Sequence, residues 1–208
     1  STRLNSSAAS DVYKRQFKSA LSPYRASGKI SSDDDIFIIA MGKMGAGELN
    51  YSSDIDLIVM FDDRNMDQVQ SAQLRQVLVR ATRSAIKLLS EVTEYGYVFR
   101  TDLRLRPDPS VTPICVGMTS ALEYYESLGR TWERAAYIKA RFCAGNYEAG
   151  TDFLKQMVPF VWRRYLDFSA IEEAHELRLK IRQKTGIQNV CSIRGHDIKL
   201  GRGGIREI

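Results

Sequence analysis

Two aspartates placed two residues apart carry the strongest chemical signal in the sequence. Asp54 and Asp56 open the apolar run Ile55–Phe61. Residues two apart on a strand point to the same face, so these carboxylates would project side by side. Neighbouring carboxylates repel each other unless a cation lies between them, and Mg²⁺ prefers one or two carboxylates together with substrate phosphates. The pattern predicts metal-dependent phosphoryl or nucleotidyl transfer; the alternative is a solvated strand start.

A third carboxylate lies in a segment that alternates polar and apolar residues. The alternation over residues 96–106 predicts a strand that ends before Pro107. Its polar face would carry Arg100, Asp102, Arg104 and Arg106. Three carboxylates on neighbouring strands fit a site that holds two metal ions, and arginine forks match phosphate geometry. We therefore predict Asp102 as the third metal ligand and catalytic carboxylate, and Arg104 and Arg106 as phosphate contacts. In the alternative, Asp102 only pairs with an arginine on a solvated edge.

A glycine turn at residues 42–47 precedes the aspartate pair. A phosphate-binding P-loop needs Ser or Thr after its lysine, whereas Lys43 is followed by Met44. A dinucleotide fingerprint has another glycine spacing and leads into a helix. What fits is a turn that brings backbone N–H groups close to phosphate. We predict that Gly42, Lys43 and Ser53 contact the nucleotide.

The periodicity of apolar residues predicts the elements that position these groups. Apolar runs at 36–41 and 55–61 predict two strands, and apolar residues at three- and four-residue steps predict a helix over 67–92. Beyond Pro113 the pattern predicts helices at about 120–129, 132–145, 151–162 and 170–185. The fold class expected is α+β.

The chain divides by composition into four segments. Residues 1–16 resemble a translated adaptor sequence and are predicted to be non-native. Residues 17–115 are expected to form the catalytic core and 116–185 a helical region packed on it. Residues 186–208 are predicted to be a basic, glycine-rich connector that stops as in a fragment.

Charge, cysteines and hydropathy exclude several function classes. The formal charge of +5 falls to +3 without residues 1–16, which is too mild to indicate nucleic-acid binding. No apolar run approaches the roughly 18 residues of a membrane span. Three widely spaced cysteines, without a visible secretory leader, predict a reducing cytoplasm.

One further feature stays open: the charges between Arg130 and Arg141 form either a substrate-facing basic strip or solvated helix faces.

Together these stretches resemble the glutamine synthetase adenylyltransferase/adenylyl-removing enzymes. The resemblance rests on residues 41–58, 102–107, 129–134, 139–141 and 199–208. It implies a polymerase-β-like nucleotidyltransferase core, with a small mixed sheet and flanking helices, followed by a helical bundle region. Where that superfamily has a Gly-Gly or Gly-Ser pair, this chain has Gly42-Lys43.

The resemblance also implies roles and partners. The carboxylates would bind Mg²⁺ or Mn²⁺, and the nucleotide would be ATP or ADP, with phosphate as a co-substrate. The protein partners would be glutamine synthetase and a nitrogen-regulatory PII protein. Residues 129–134 and 199–208 look like those of the N-terminal, AMP-removing half of the family enzyme. Attachment of AMP from ATP and a non-catalytic nucleotide-sensing module remain the alternatives.

Overall fold

A computed structural model describes most of the first 162 residues. The described residues are 6–28, 30, 36–50, 53–94, 96–162, 171–172, 175–176, 179–180 and 183. The chain divides into two compact units, residues 1–162 and 163–208. The few described residues of the second unit are helical, within the helix predicted at 170–185. The predicted connector at 186–208 lies outside the described residues.

The two apolar runs form the central strands, as predicted. Strand β1 (Ile36–Ala40) and strand β2 (Ile55–Phe61) are antiparallel, with Ile36 opposite Phe61 and Ala40 opposite Leu57. Ile-rich, β-branched segments favour a pleated surface. Both strands are buried on both faces, which explains why they read as continuous apolar runs rather than as alternating ones.

Three short strands complete a mixed sheet of five. Strands β3 (Thr101–Asp102) and β4 (Cys115–Gly117) both run parallel to β2, β3 at its start and β4 at its end. Strand β5 (Arg141–Gly145) pairs antiparallel with the other edge of β1, with an irregularity between Ile38 and Ile39. The small mixed sheet matches the expected fold class.

Helices cover both faces of this sheet. In chain order they are α1 (Ser6–Ala26), α2 (Gly42–Gly45), α3 (Gln68–Ser90), α4 (Met118–Ser127), α5 (Thr131–Tyr137), α6 (Tyr147–Gln156) and α7 (Val158–Val161). Helices α1 and α3 bury Phe17, Leu21, Leu78 and Leu89 against one face. Helices α4–α7 bury Tyr125, Tyr137, Phe153 and Phe160 against the other. The α3 prediction is confirmed, and a reciprocal capping box between Asp67 and Gln70 fixes its start. No helix among the described residues is long and apolar enough to cross a membrane.

The strand predicted at 96–106 was wrong over most of its length. Only Thr101 and Asp102 pair with β2. The Asp102 carboxylate accepts the backbone N–H of Arg104 at 2.8 Å, and such a local side-chain bond turns the backbone away from a ladder. Arg106 then donates to three backbone carbonyls, of Leu103, Pro109 and Thr112, and so fixes the loop that follows.

The helix predicted at 132–145 was wrong in its second half. Helix α5 ends at Tyr137, and residues 141–145 form β5. The sequence there holds Phe142, Cys143 and Ala144, which a helix or a strand accommodates equally. The open edge of β1 favours the strand, because a neighbouring strand supplies hydrogen-bond partners for its backbone groups. The region predicted as helical, residues 116–185, therefore contains β5 and the end of β4, while a separate helical bundle stays a prediction.

Candidate active site

The three predicted carboxylates lie at one end of the sheet. Asp56 is in β2, directly opposite Asp102 of β3, so both side chains leave the same face. Asp54 precedes β2 by one residue and alternates onto that face. The junction is fixed by the N–H of Ile55, which donates to the carbonyl of Arg100 at 2.8 Å. Asp56 and Asp102, 46 positions apart in sequence, are thus brought side by side.

Two arginines neutralise two of these carboxylates. Arg100 Nε donates to Asp54 Oδ1 at 2.5 Å, and Arg104 donates to Asp102 through Nε at 2.8 Å and Nη2 at 2.5 Å. The hydrogen bond from Arg104 holds the pKa of Asp102 below its usual value. In return the pKa of Arg104 is raised, first by the hydrogen bond to Asp102 and then by that carboxylate's charge, with smaller contributions from Asp56 and Asp54. All three carboxylates therefore stabilise the positive charge of Arg104.

The donor set suits a hard divalent cation, although the acids are not gathered into a ready metal cage. Among the described residues, no group of three or more His, Cys, Asp and Glu side chains stands close enough to hold an ion. Asp54 and Asp102 are directed to their arginines instead. Carboxylate oxygens on neighbouring strands are the ligand type that Mg²⁺ and Mn²⁺ prefer. The metal role of Asp54, Asp56 and Asp102 stays a prediction.

The glycine turn is packed directly against Asp56. It forms α2, and Gly42 begins it with φ of +53°, in the left-handed region that favours glycine. A Cβ atom on Gly42 would lie 2.5 Å from Asp56 Oδ2, so a side chain there would displace the carboxylate. The N–H of Met41 also donates to the carbonyl of Asp56 at 2.9 Å. The glycine turn and Asp56 are therefore held against each other by close packing and by a backbone hydrogen bond.

The other predicted contacts are placed differently. The Lys43 side chain is exposed on α2. Ser53 closes the loop before β2, since its hydroxyl donates to Asn50 Oδ1 at 2.6 Å and accepts the Asn50 N–H at 3.2 Å. Arg106 directs its guanidinium at loop carbonyls rather than at the carboxylates. Lys43 and Ser53 thus precede the acids along the chain, and Arg106 holds a loop.

The charged stretch from Arg130 to Arg141 is not a uniform basic strip. Glu133 is buried and accepts the Arg130 N–H at 2.8 Å and the Tyr124 hydroxyl at 3.1 Å. Lys139 pairs with Glu48 beside the glycine turn, and Arg141 reaches the carbonyls of that turn. No local sequence pattern indicates the contacts of Lys139 and Arg141, because they depend on the long-range pairing of β5 with β1.

The buried Glu133 predicts a pH-dependent difference in stability. Burial raises the pKa of its carboxyl above the ordinary value of 4.5, so the folded chain binds this proton more tightly than the unfolded chain. The stabilisation from the bound proton is complete below pH 4.5 and is lost as pH rises through the raised pKa. The free energy of unfolding of Glu133→Gln in urea should lack this pH-dependent decrease between pH 4.5 and 7.

The control for that experiment is Glu126→Gln, at an exposed position on α4. It should keep the wild-type pH dependence of the free energy of unfolding. If Glu133→Gln and wild type lose stability in parallel over the same pH range, the Glu133 carboxylate is not the source of the effect.

The small mixed sheet with its flanking helices fits the class of a nucleotidyltransferase-like domain. The model of the family described as glutamate-ammonia ligase adenylyltransferase (GlnE) matches residues 5–156. The chain belongs to this family.

Similar proteins carry the name bifunctional glutamine synthetase adenylyltransferase/adenylyl-removing enzyme. The one from Bradyrhizobium sp. is 51% identical over 173 residues, which cover 83% of this chain and 18% of that protein. The one from Rhizobium meliloti is 49% identical over 191 residues, covering 92% of this chain and 19% of that protein. The chain therefore spans less than a fifth of the length of these relatives.

Proposed function

We propose that this chain is a metal-dependent nucleotidyl-transfer domain that acts on glutamine synthetase and removes AMP from an adenylylated tyrosine. The observation that carries the proposal is the placement of Asp56 opposite Asp102, with Asp54 on the same face and Gly42 packed against the Asp56 carboxylate. Its fold is proposed to be the polymerase-β-like core. The relatives' names include both an adenylyltransferase and an adenylyl-removing activity.

The proposed roles follow from charge and position. Asp54, Asp56 and Asp102 would hold Mg²⁺ or Mn²⁺, which when bound stabilises negative charge on phosphoryl oxygens. Asp54 and Asp102 would exchange their arginine partners for the ion. The charge of the Arg104 guanidinium is already stabilised by all three acids. After the exchange, this guanidinium would be available to a phosphate oxygen.

The transfer step requires two anionic groups to approach each other. An oxygen of inorganic phosphate forms a bond to the AMP phosphorus, and the bond from that phosphorus to the tyrosyl oxygen breaks. The products are ADP and a tyrosine whose oxygen takes up a proton. Lys43 and Arg104 would screen the repulsion between phosphate and AMP, which in phosphoryl transfer is the main task of the protein cations.

The direction of transfer is supported by resemblance alone. Residues 129–134 and the tract 199–208 are similar to the AMP-removing half of the family enzyme. The same resemblance supports a PII protein as a regulatory partner and the cytoplasm as the location. Attachment of AMP from ATP uses the same carboxylates, so product identity must separate the two directions.

The test supplies the chain with adenylylated glutamine synthetase, labelled inorganic phosphate and Mg²⁺ or Mn²⁺. Labelled ADP is expected, and it should disappear when the divalent ion is chelated. A parallel reaction with ATP and unmodified glutamine synthetase is scored for diphosphate. Diphosphate without labelled ADP would reverse the proposed direction, and nucleotide binding without either product would identify a non-catalytic module.

A further inference from the structure

The start of β5 lies directly against the glycine turn. Arg141, the first residue of β5, is paired with Ala40, the last residue of β1. Its side chain crosses to the end of α2, where Nε donates to the carbonyl of Gly45 and Nη2 to the carbonyl of Met44, both at 3.1 Å. A residue about 100 positions away therefore holds the far end of the turn.

These two carbonyls lie at the end of a short helix, where intrahelical donors run out. The carbonyl of Met44 also accepts the Gly47 N–H at 3.2 Å, so Arg141 is its second donor. The last carbonyls of any helix must find donors elsewhere, and a nearby arginine side chain can supply them. The planar guanidinium supplies two N–H groups in one fixed fork, which a lysine ammonium does not. Arg141 thus acts as a side-chain cap for α2.

Backbone packing reinforces the same contact. A Cβ atom on Gly45 would overlap the carbonyl oxygen of Lys139 and lie 2.6 Å from that of Ala40. No side chain fits at this point, so the turn rests on the backbone that leads into β5. Lys139 adds an ion pair to Glu48 at 2.8 Å, but both side chains are about half exposed, and such pairs contribute little.

The opposite end of α2 touches the carboxylate at the centre of the site. Gly42 begins the turn and packs on Asp56, while Met44 and Gly45 end it beneath Arg141. Because α2 has only four residues, a displacement of its last residue is transmitted to its first. The Met41 N–H, bonded to the Asp56 carbonyl, thus holds the start of the turn, and Arg141 holds its end.

We propose that Arg141 is a positioning residue, which holds the glycine turn against Asp56 without touching the substrate. Its effect on turnover rests on the function proposed above, whereas its effect on the turn does not. A misplacement of about 1 Å at a reacting group can cost on the order of 100-fold in rate. Loss of the Arg141 cap should therefore lower kcat and leave the KM for phosphate nearly unchanged.

The experiment compares Arg141→Met with Lys139→Met in the full chain. Amide hydrogen exchange at Gly45 and Ala46, whose N–H groups donate to Met41 and Gly42, reports on the turn. Arg141→Met should accelerate this exchange at least about tenfold and lower kcat by about 10- to 100-fold. Exchange in β1 and β2 should be unchanged, which distinguishes a local effect from general unfolding.

Two other variants set the scale. Lys139→Met removes only the exposed ion pair and should stay within about twofold of wild type in both readouts. Arg141→Lys keeps the positive charge but lacks the two N–H groups of the fork. Its exchange rate and kcat should lie between those of wild type and Arg141→Met. If Arg141→Met does not fold, Arg141→Lys replaces it in the comparison.

Wild-type exchange and wild-type kcat in the Arg141 variants would overturn the proposal. If the wild-type chain forms neither labelled ADP nor diphosphate while Arg141→Met still loosens the turn, the proposed function fails and the positioning of the turn stands.

Discussion

Asp56→Asn is expected to lower turnover by about 10²- to 10³-fold, the loss seen when one group that stabilises transition-state charge is removed. Asp56 is the central acid, because it lies opposite Asp102 and also against Gly42. Asparagine has nearly the same shape, so packing should survive, but it brings no negative charge to a divalent cation. Turnover is measured at saturating Mg²⁺ or Mn²⁺, and binding of Mn²⁺ is titrated separately.

The matched control is Asp62→Asn, just beyond the other end of the same strand. Asp62 accepts from Arg64 at 2.6 Å and that contact lowers the pKa of its carboxyl, but it lies far along β2 from the predicted ligands. This partly exposed pair should contribute no more than about 1 kcal/mol, and turnover should stay at the wild-type rate. Full activity of Asp56→Asn at saturating metal would show that the ion is held by other residues.

Gly42→Ala is expected to abolish most activity in a chain that still folds. The added methyl group would lie 2.5 Å from Asp56 Oδ2, so the carboxylate must leave the position shared with the turn. Alanine also takes up the left-handed conformation at φ of +53° with a strain of about 1–2 kcal/mol. We expect a loss of kcat approaching that of Asp56→Asn, measured together with the free energy of unfolding in urea.

Gly28→Ala separates the two causes. Gly28 has φ of +68°, but nothing lies within 4 Å of its missing Cβ atom. The variant should suffer a similar backbone strain, of about 1–2 kcal/mol, and keep wild-type turnover. Equal activity of the Gly28→Ala and Gly42→Ala variants would mean that contact between the turn and the Asp56 carboxylate is not required.

Local pattern was sufficient for the elements that carry the two aspartates. The apolar run Ile55–Phe61 is β2 with the bounds that its sequence indicates, and the three- and four-residue spacing marks α3 to within two residues of its ends. Burial of both faces of β2 and of one face of α3 is strong enough to outweigh their surroundings. The side-by-side placement of Asp54 and Asp56 follows directly from the strand period.

Long-range pairing decided what the sequence could not. Residues 96–106 alternate as a strand should, yet a side-chain bond at Asp102 and the Arg106 contacts end the pairing after two residues. Residues 141–145 have no strong local preference and become β5 because β1 offers an open edge. Arg141 acquires its contacts by the same pairing, so its position on the glycine turn has no local signal.

Strand β5 also sets the order in which the sheet is completed during synthesis. Its pairing with β1 joins residues about 100 positions apart, a non-local contact of the kind that slows folding. Until residue 145 has left the ribosome, the apolar β1 keeps one edge unpaired, and unpaired edges invite association with other chains. A shortened chain that ends at residue 115 would retain this edge permanently. The smallest soluble piece is therefore expected to extend through β5.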